Sequence, residues 1–121
     1  MTAQSSVYRI EHLQGNPIVD CEGEMNIGVL YMSYKLSSSH SLKAKRQAVT
    51  SLISRIRSKF NLSVTEYADL DIWQRITLIG CVASSDPNFP DQLLESIVSF
   101  ITEMRPDLEL IDCSTELISG V

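Results

Sequence analysis

Residues 26–36, NIGVLYMSYKL, decide the fold, because their side chains alternate in polarity. Leu30, Met32, Tyr34 and Leu36 fall on one face of an extended chain, since successive side chains of a strand point to opposite sides. This period-two pattern with one apolar face predicts a strand that packs on a core by that face. Its opposite face presents Val29, Tyr31, Ser33 and Lys35.

The segment that follows has helical spacing instead. Ser41 is a suitable N-cap for a helix over about 42–60, because a serine hydroxyl accepts a hydrogen bond from the first helical turn. Apolar residues then recur every three or four positions and form one stripe along the helix. The stripe consists of Leu42, Val49, Leu52, Ile53, Ile56 and Phe60.

The remaining elements repeat this arrangement. Strands are predicted over 62–68 and 74–84, a helix over about 90–104 that starts at Pro90, and a short strand over 108–113. The order β-α-β-β-α-β predicts a ferredoxin-like α+β fold, with a four-stranded antiparallel sheet and two helices on one face. Right-handed crossovers place the first and third strands in the centre of the sheet.

The chain of 121 residues fits one domain, which we assign to 26–117. Residues 1–25 lack periodicity and are interpreted as an N-terminal extension dispensable to the core, and 118–121 as a C-terminal tail. No apolar run approaches the ~20 residues of a membrane span. We therefore expect a cytoplasmic protein with no membrane partner, whose three cysteines are small buried side chains.

Charge is distributed unevenly. Residues 41–60 hold six of the ten Lys and Arg residues and no acid, although the net charge of the chain is −5. Lys43, Lys45 and Arg46 lie in the first turns of the predicted helix, where the helix dipole disfavours cations and no sequence neighbour neutralises them. A bound phosphate would compensate these charges. The alternative is that long basic side chains extend past the buried stripe into solvent.

A second candidate site lies between the second and third strands. Trp73 is positioned to stack on a base and Arg75 to bind a phosphate. The alternative is that Trp73 covers the sheet edge while Asp71 and Arg75 pair locally. The predicted anion- or nucleic-acid-binding residues are Lys43, Lys45, Arg46, Arg57 and Arg75.

The third predicted strand, RITLIGCVAS, is apolar on both faces, unlike an antiparallel strand that faces water on one side. An exposed apolar patch of this kind marks an interaction site. A twofold dimer would cover it with the same surface from each chain. We therefore expect a homodimer through the sheet face opposite the helices, with Val29, Tyr31 and Ile79 on that face. The alternative is that residues 1–25 fold back over this face and the protein stays monomeric.

The sequence offers no catalytic constellation. His12 and His40 are isolated, no phosphate-binding glycine loop is present, and no Cys or His set has metal-ligand spacing. We expect no cofactor, no metal and no enzymatic activity.

Three segments carry a resemblance to a known family: residues 41–46 (SLKAKR), 60–64 (FNLSV) and 71–75 (DIWQR). In this order and spacing they resemble the YlxP-like family of small bacterial proteins. The resemblance implies a ferredoxin-like fold and an unknown function, with genes often near those of translation and ribosome-maturation factors. Residues 1–25 are additional here, and Ala44 stands where the family commonly has Glu.

These observations predict a non-enzymatic RNA- or ribosome-associated accessory factor, with ribosomal RNA or a ribosomal subunit as its partner. The alternative is a protein–protein interaction module that homodimerises and has no nucleic-acid role.

Overall fold

The computed structural model describes residues 25–37, 41–68 and 72–119. The predicted elements occur in the predicted order. They are β1 (Asn26–Leu36), α1 (Leu42–Lys59), β2 (Ser63–Glu66), β3 (Arg75–Ser84), α2 (Phe89–Met104) and β4 (Leu108–Ser119). The predicted N-terminal extension lies outside the described residues except for Met25.

The four strands form one antiparallel sheet in the order β2-β3-β1-β4. The central strands are β1 and β3, and β2 and β4 are the edges. This arrangement confirms the predicted ferredoxin-like α+β fold and its central pair of strands.

One apolar core joins the sheet to both helices. Alternate residues of β1, from Leu30 to Leu36, are at most 2% exposed, as the alternation predicted. They share a cluster with the stripes of α1 and α2, so both helices pack on the same sheet face. The helical members of this cluster are Val49, Leu52, Ile56, Leu93, Leu94, Ile97 and Ile101.

The two helices begin differently. The Ala44 N–H donates to Ser41 Oγ at 3.0 Å, which confirms Ser41 as the N-cap of α1. At the start of α2, Pro90 lies directly over Gly28 of β1, where an added Cβ would be 2.3 Å from Pro90 Cγ. Only glycine therefore permits this close approach of α2 to the sheet.

Strand β4 is longer than the predicted strand over 108–113. It pairs with β1 along its whole length, from Leu36↔Leu108 to Asn26↔Ser119, with a register shift between Ser33 and Tyr34. The three residues after Cys113 are polar, but the long neighbouring strand β1 supplies backbone hydrogen-bond partners that local propensity does not reveal. Residues 118 and 119 of the predicted tail therefore belong to β4.

The prediction of buried cysteines is wrong for the two cysteines in the described residues. Cys81 and Cys113 are exposed and form no disulfide. Cys81 is the register partner of Val29, on the sheet face opposite the helices, and Cys113 lies on the edge strand β4. Neither position is covered by a helix. Cys21 lies outside the described residues.

Among the helices of the described residues, neither has the length and apolar character needed to span a bilayer.

Candidate nucleic-acid interface

Helix α1 concentrates the positive charge of the molecule. Lys43, Arg46 and Arg57 share one side of the helix, because spacings of three and eleven residues return to nearly the same side of a 3.6-residue turn. All three are exposed. We call these three residues the basic face. The neighbouring surface of α1 is a shallow depression lined with hydroxyl and amide side chains, including Gln47, Thr50, Ser51 and Ser54.

Lys45, one of the predicted anion- or nucleic-acid-binding residues, lies in the interior of the protein. Lys45 is 1% exposed and its Nζ lies 3.0 Å from Glu66 Oε2 at the end of β2. Lys45 precedes Val49, Leu52 and Ile56 by four, seven and eleven residues, so the helical period places it in the buried stripe. Lys45 therefore joins α1 to β2 and is not part of the exposed surface that a nucleic acid would contact.

Arg57 of the basic face and Lys59 also make structural contacts, while both stay exposed. Arg57 Nη2 donates to the Val64 carbonyl of β2 at 2.8 Å, which ties the end of the helix to the sheet edge. Lys59 Nζ lies 4.7 Å from the ring centroid of Phe100, which packs edge-to-face on Phe60. Lys59 therefore takes part in the contact between the two helices.

The connection between β2 and β3 exposes large apolar side chains. Tyr67 is 55% exposed, Ile72 48% and Trp73 42%. Large apolar side chains exposed together often mark a binding surface. Asp71, the predicted local partner of Arg75, lies outside the described residues.

The structure places Arg75 away from the basic face. Its Nε donates to Ser33 Oγ at 3.2 Å, and Ser33 Oγ lies 3.4 Å from Thr77 Oγ1. Ser33 and Thr77 are buried on the sheet face opposite the helices. The guanidinium of Arg75 thus belongs to a polar cluster on that face.

Three half-buried residues lie on the same open face of the sheet. Tyr31 and Ile79 are register partners, and Val29 is two residues from Tyr31 on β1. Together they form a short apolar strip across the two central strands. Polar and charged residues border this strip, since Thr65 is the register partner of Ile79 and Glu116 that of Val29.

The remaining surface of the described residues is largely acidic. Helix α2 carries Asp91, Glu95 and Glu103 and no Lys or Arg. Strand β4 carries three further acids and no cation, namely Glu109, Asp112 and Glu116. Arg105, between these elements, is held by the carboxylate of Asp107 at 2.7 and 2.9 Å. Exposed positive charge is therefore concentrated on α1.

The described residues contain no group of three or more His, Cys, Asp and Glu side chains arranged to hold a metal ion. The most perturbed acid in the core is Tyr34, which is 1% exposed. Burial raises its pKa to about 12, with a smaller contribution from the neighbouring Cys113. Its hydroxyl has no hydrogen-bond partner among the described residues.

Sequence reasoning missed two residues of this region. Glu66 was not recognised as the partner of Lys45. The position of Lys45 in the buried stripe of α1 could have indicated that an acid must face it. Tyr67 was not recognised as exposed. Because Val64 lies in the core and side chains alternate along a strand, Glu66 falls on the helix side and Tyr67 on the opposite side.

Sequence comparisons match the chain to proteins without an assigned function. A family model described as "Protein of unknown function (DUF503)" matches residues 27–115. The "Uncharacterized protein YlxP" of Bacillus subtilis (strain 168) is 32% identical over 76 residues, which cover 63% of this chain and 82% of that protein.

Two solved structures show lower similarity. The "De novo designed protein Foldit4" is 10% identical with a TM-score of 0.41, covering 79% of this chain and 97% of the design. The protein SO0527 from Shewanella oneidensis is 17% identical with a TM-score of 0.39, covering 77% and 90% of the two chains.

Proposed function

Because the chain belongs to the DUF503 family of proteins of unknown function, we propose its function from its surface: it is a non-enzymatic accessory factor that binds ribosomal RNA through the basic face of α1. The observation that carries the proposal is the charge of this helix, which has six cations and no acid in an otherwise acidic molecule. Electrostatic attraction to phosphates is the main sequence-independent term in nucleic-acid binding.

The position of the charges supports binding over stability as their role. Lys43 and Arg46 lie in the first turns of α1, which contain no acid, and cations there oppose the helix dipole by about 0.3–1 kcal/mol each. Ser41 already provides the N-cap of this helix, so Lys43 and Arg46 have no capping role. A phosphate group would turn this unfavourable arrangement into a favourable one.

The direct test is co-sedimentation of the protein with ribosomal subunits across a salt series. We expect association at low salt that weakens as salt rises, because bound cations release counterions from RNA. The variant Lys43→Gln/Arg46→Gln should weaken association at every salt concentration. The control Arg55→Gln/Lys59→Gln removes the same charge from exposed positions of α1 outside the basic face and should behave like the wild type. Absence of association at low salt would refute the proposal.

We also propose a second candidate function, homodimerisation through the open sheet face. The apolar strip of Val29, Tyr31 and Ile79 favours it, because a twofold copy would bury this strip against itself. Light scattering at micromolar concentration tests it, and the monomer mass of 13.5 kDa would refute the dimer. If a dimer forms, Tyr31→Glu should dissociate it by burying a charge, whereas Ser99→Glu on α2 should not.

A further inference from the structure

We propose that the RNA bound by this protein is single-stranded, with unpaired bases stacked on Tyr67 and Trp73 while Lys43 and Arg46 contact its phosphates. This inference rests on the proposed function and specifies the substrate class of the same surface.

The topology brings the aromatic and basic groups to one end of the sheet. Lys45 in the first turns of α1 contacts Glu66, the residue before Tyr67. The Leu36 N–H at the end of β1 donates to the Gln74 carbonyl, next to Trp73, at 2.8 Å. The start of α1 and the β2–β3 connection are therefore neighbours, although they are far apart in sequence.

The two rings are suited to stacking because they are exposed. Tyr67 and Trp73 are 55% and 42% exposed, whereas aromatic rings more often contribute to a core. Stacking needs a base with a free face, which an unpaired strand offers and a duplex does not. Aromatic side chains combined with cations that follow the backbone are the usual features of single-strand binding surfaces.

The open sheet face is less suited to this role. Tyr31 is the only aromatic residue on that face of the described strands, and it is half-buried. The described strands place two cations on this face: Arg75 is bonded to Ser33, and Lys35 is the register partner of Glu109. A nucleic acid bound along these strands would meet one partly covered ring.

The acidic surfaces restrict where a phosphate backbone can lie. Helix α2 and strand β4 together carry six acids and no cation, so both repel phosphates. Lys43 and Arg46 lie in the first turns of α1, on the helix side of the end of the sheet whose open side carries Tyr67. The strand is therefore confined to this end of the sheet, where it passes from the cations to the rings.

Intrinsic fluorescence tests this inference directly, because Trp73 is the only tryptophan in the chain. The probe is an unstructured RNA of about ten nucleotides, compared with an RNA duplex of equal length. We expect the single strand to quench Trp73 fluorescence and to bind about tenfold more tightly than the duplex. Trp73→Ala should lower single-strand affinity about tenfold or more, as the loss of one stacked base does.

Two variants separate stacking from a structural role of Trp73. Trp73→Phe keeps an aromatic face and should retain most of the affinity. Anisotropy of labelled RNA measures this affinity. Ile72→Ala removes an equally exposed apolar side chain that cannot stack and should change affinity by less than about twofold. Melting temperatures of the variants show whether each is folded.

The outcomes distinguish this inference from the proposed function. Salt-dependent binding that requires Lys43 and Arg46, with no quenching and no preference for single strands, would overturn the inference and leave the proposed function standing. Binding of neither RNA, together with no association with ribosomal subunits, would overturn both.

Discussion

Helices α1 and α2 occupy equivalent positions in the fold but carry opposite charges. They contain eighteen and sixteen residues, and each packs an apolar stripe on the same face of the sheet. On their outer surfaces, α1 has five exposed cations and no acid, whereas α2 has three acids and no cation. The buried stripes are required by the fold, but the fold places no such requirement on the outer surfaces.

The helix termini show why this difference is informative. Asp91 lies in the first turn of α2, where an acid is favoured by the dipole, and accepts a hydrogen bond from Thr115 of β4. Lys43 and Arg46 lie in the equivalent part of α1, where cations are disfavoured. Asp91 is therefore placed favourably for the dipole of α2, whereas Lys43 and Arg46 are placed unfavourably for that of α1, and the proposed contact with phosphates would compensate them.

The largest expected effect comes from removing the contact that holds α1 to the sheet. Glu66→Gln takes away the carboxylate that faces the buried Lys45 ammonium, so we expect a loss of about 3 kcal/mol in unfolding free energy. The double variant Lys45→Met/Glu66→Gln, which removes both charges, should cost about 1 kcal/mol or less. Urea denaturation of both variants measures the difference, and equal costs would contradict the assigned role of the pair.

The corresponding test for α2 is Gly28→Ala. The new methyl group would overlap the Pro90 ring, so we expect a loss of about 2 kcal/mol through displacement of α2. Gly80→Ala is the matched control, because its Cβ would meet the flexible end of Leu62 at 2.8 Å and the Ser63 carbonyl oxygen at an ordinary contact distance of 3.4 Å. Thermal unfolding should rank Gly28→Ala well below Gly80→Ala in stability.

The core beneath the helices should respond to alkaline pH through Tyr34. Its folded-state pKa of about 12 exceeds the unfolded value of 10.0 because burial disfavours the phenolate. The stabilisation is therefore complete below pH 10 and is lost between pH 10 and 12, at about 1.4 kcal/mol per pH unit.

The variant Tyr34→Phe isolates this effect from other groups that titrate at high pH. It should remove this part of the pH dependence, while changing stability at pH 7 by less than about 1 kcal/mol, because the hydroxyl has no partner among the described residues. An unchanged alkaline profile in Tyr34→Phe would show that another group is responsible.

The smallest expected effect comes from giving α1 the acid that α2 already has. Ala44→Glu places a carboxylate at the third helical position after Ser41, which forms a capping box. We expect a gain of about 0.5 kcal/mol, seen as a rise of a few degrees in melting temperature. A decrease would show that another contact, and not the missing acid, limits the start of α1.

Periodicity made most of the fold predictable. The alternation in 26–36 and the apolar stripes of both helices predicted β1, α1 and α2 to within one residue at each end. The length of β4 was not predictable, since its last residues are stabilised by pairing with β1 and not by their own composition. Pairing across the sheet depends on residues distant in sequence, which local patterns do not contain.

The candidate site was predicted less completely. Lys43, Arg46, Arg57 and Trp73 are exposed, but Lys45 is buried in an ion pair and Arg75 is bonded on the open sheet face. Composition identified the basic helix without identifying which cations face solvent. That distinction depends on tertiary partners such as Glu66 and Ser33, and on the topology that brings α1 beside the β2–β3 connection.

The salt dependence of RNA affinity tests the central claim most directly. Each phosphate contact contributes about −0.7 to the slope of log affinity against log salt for single strands. If Lys43 and Arg46 contact phosphates, Lys43→Gln/Arg46→Gln should make this slope shallower by about 1.4. The control Arg55→Gln/Lys59→Gln should keep the wild-type slope. Identical slopes for all three proteins, or no RNA binding at low salt, would contradict the account.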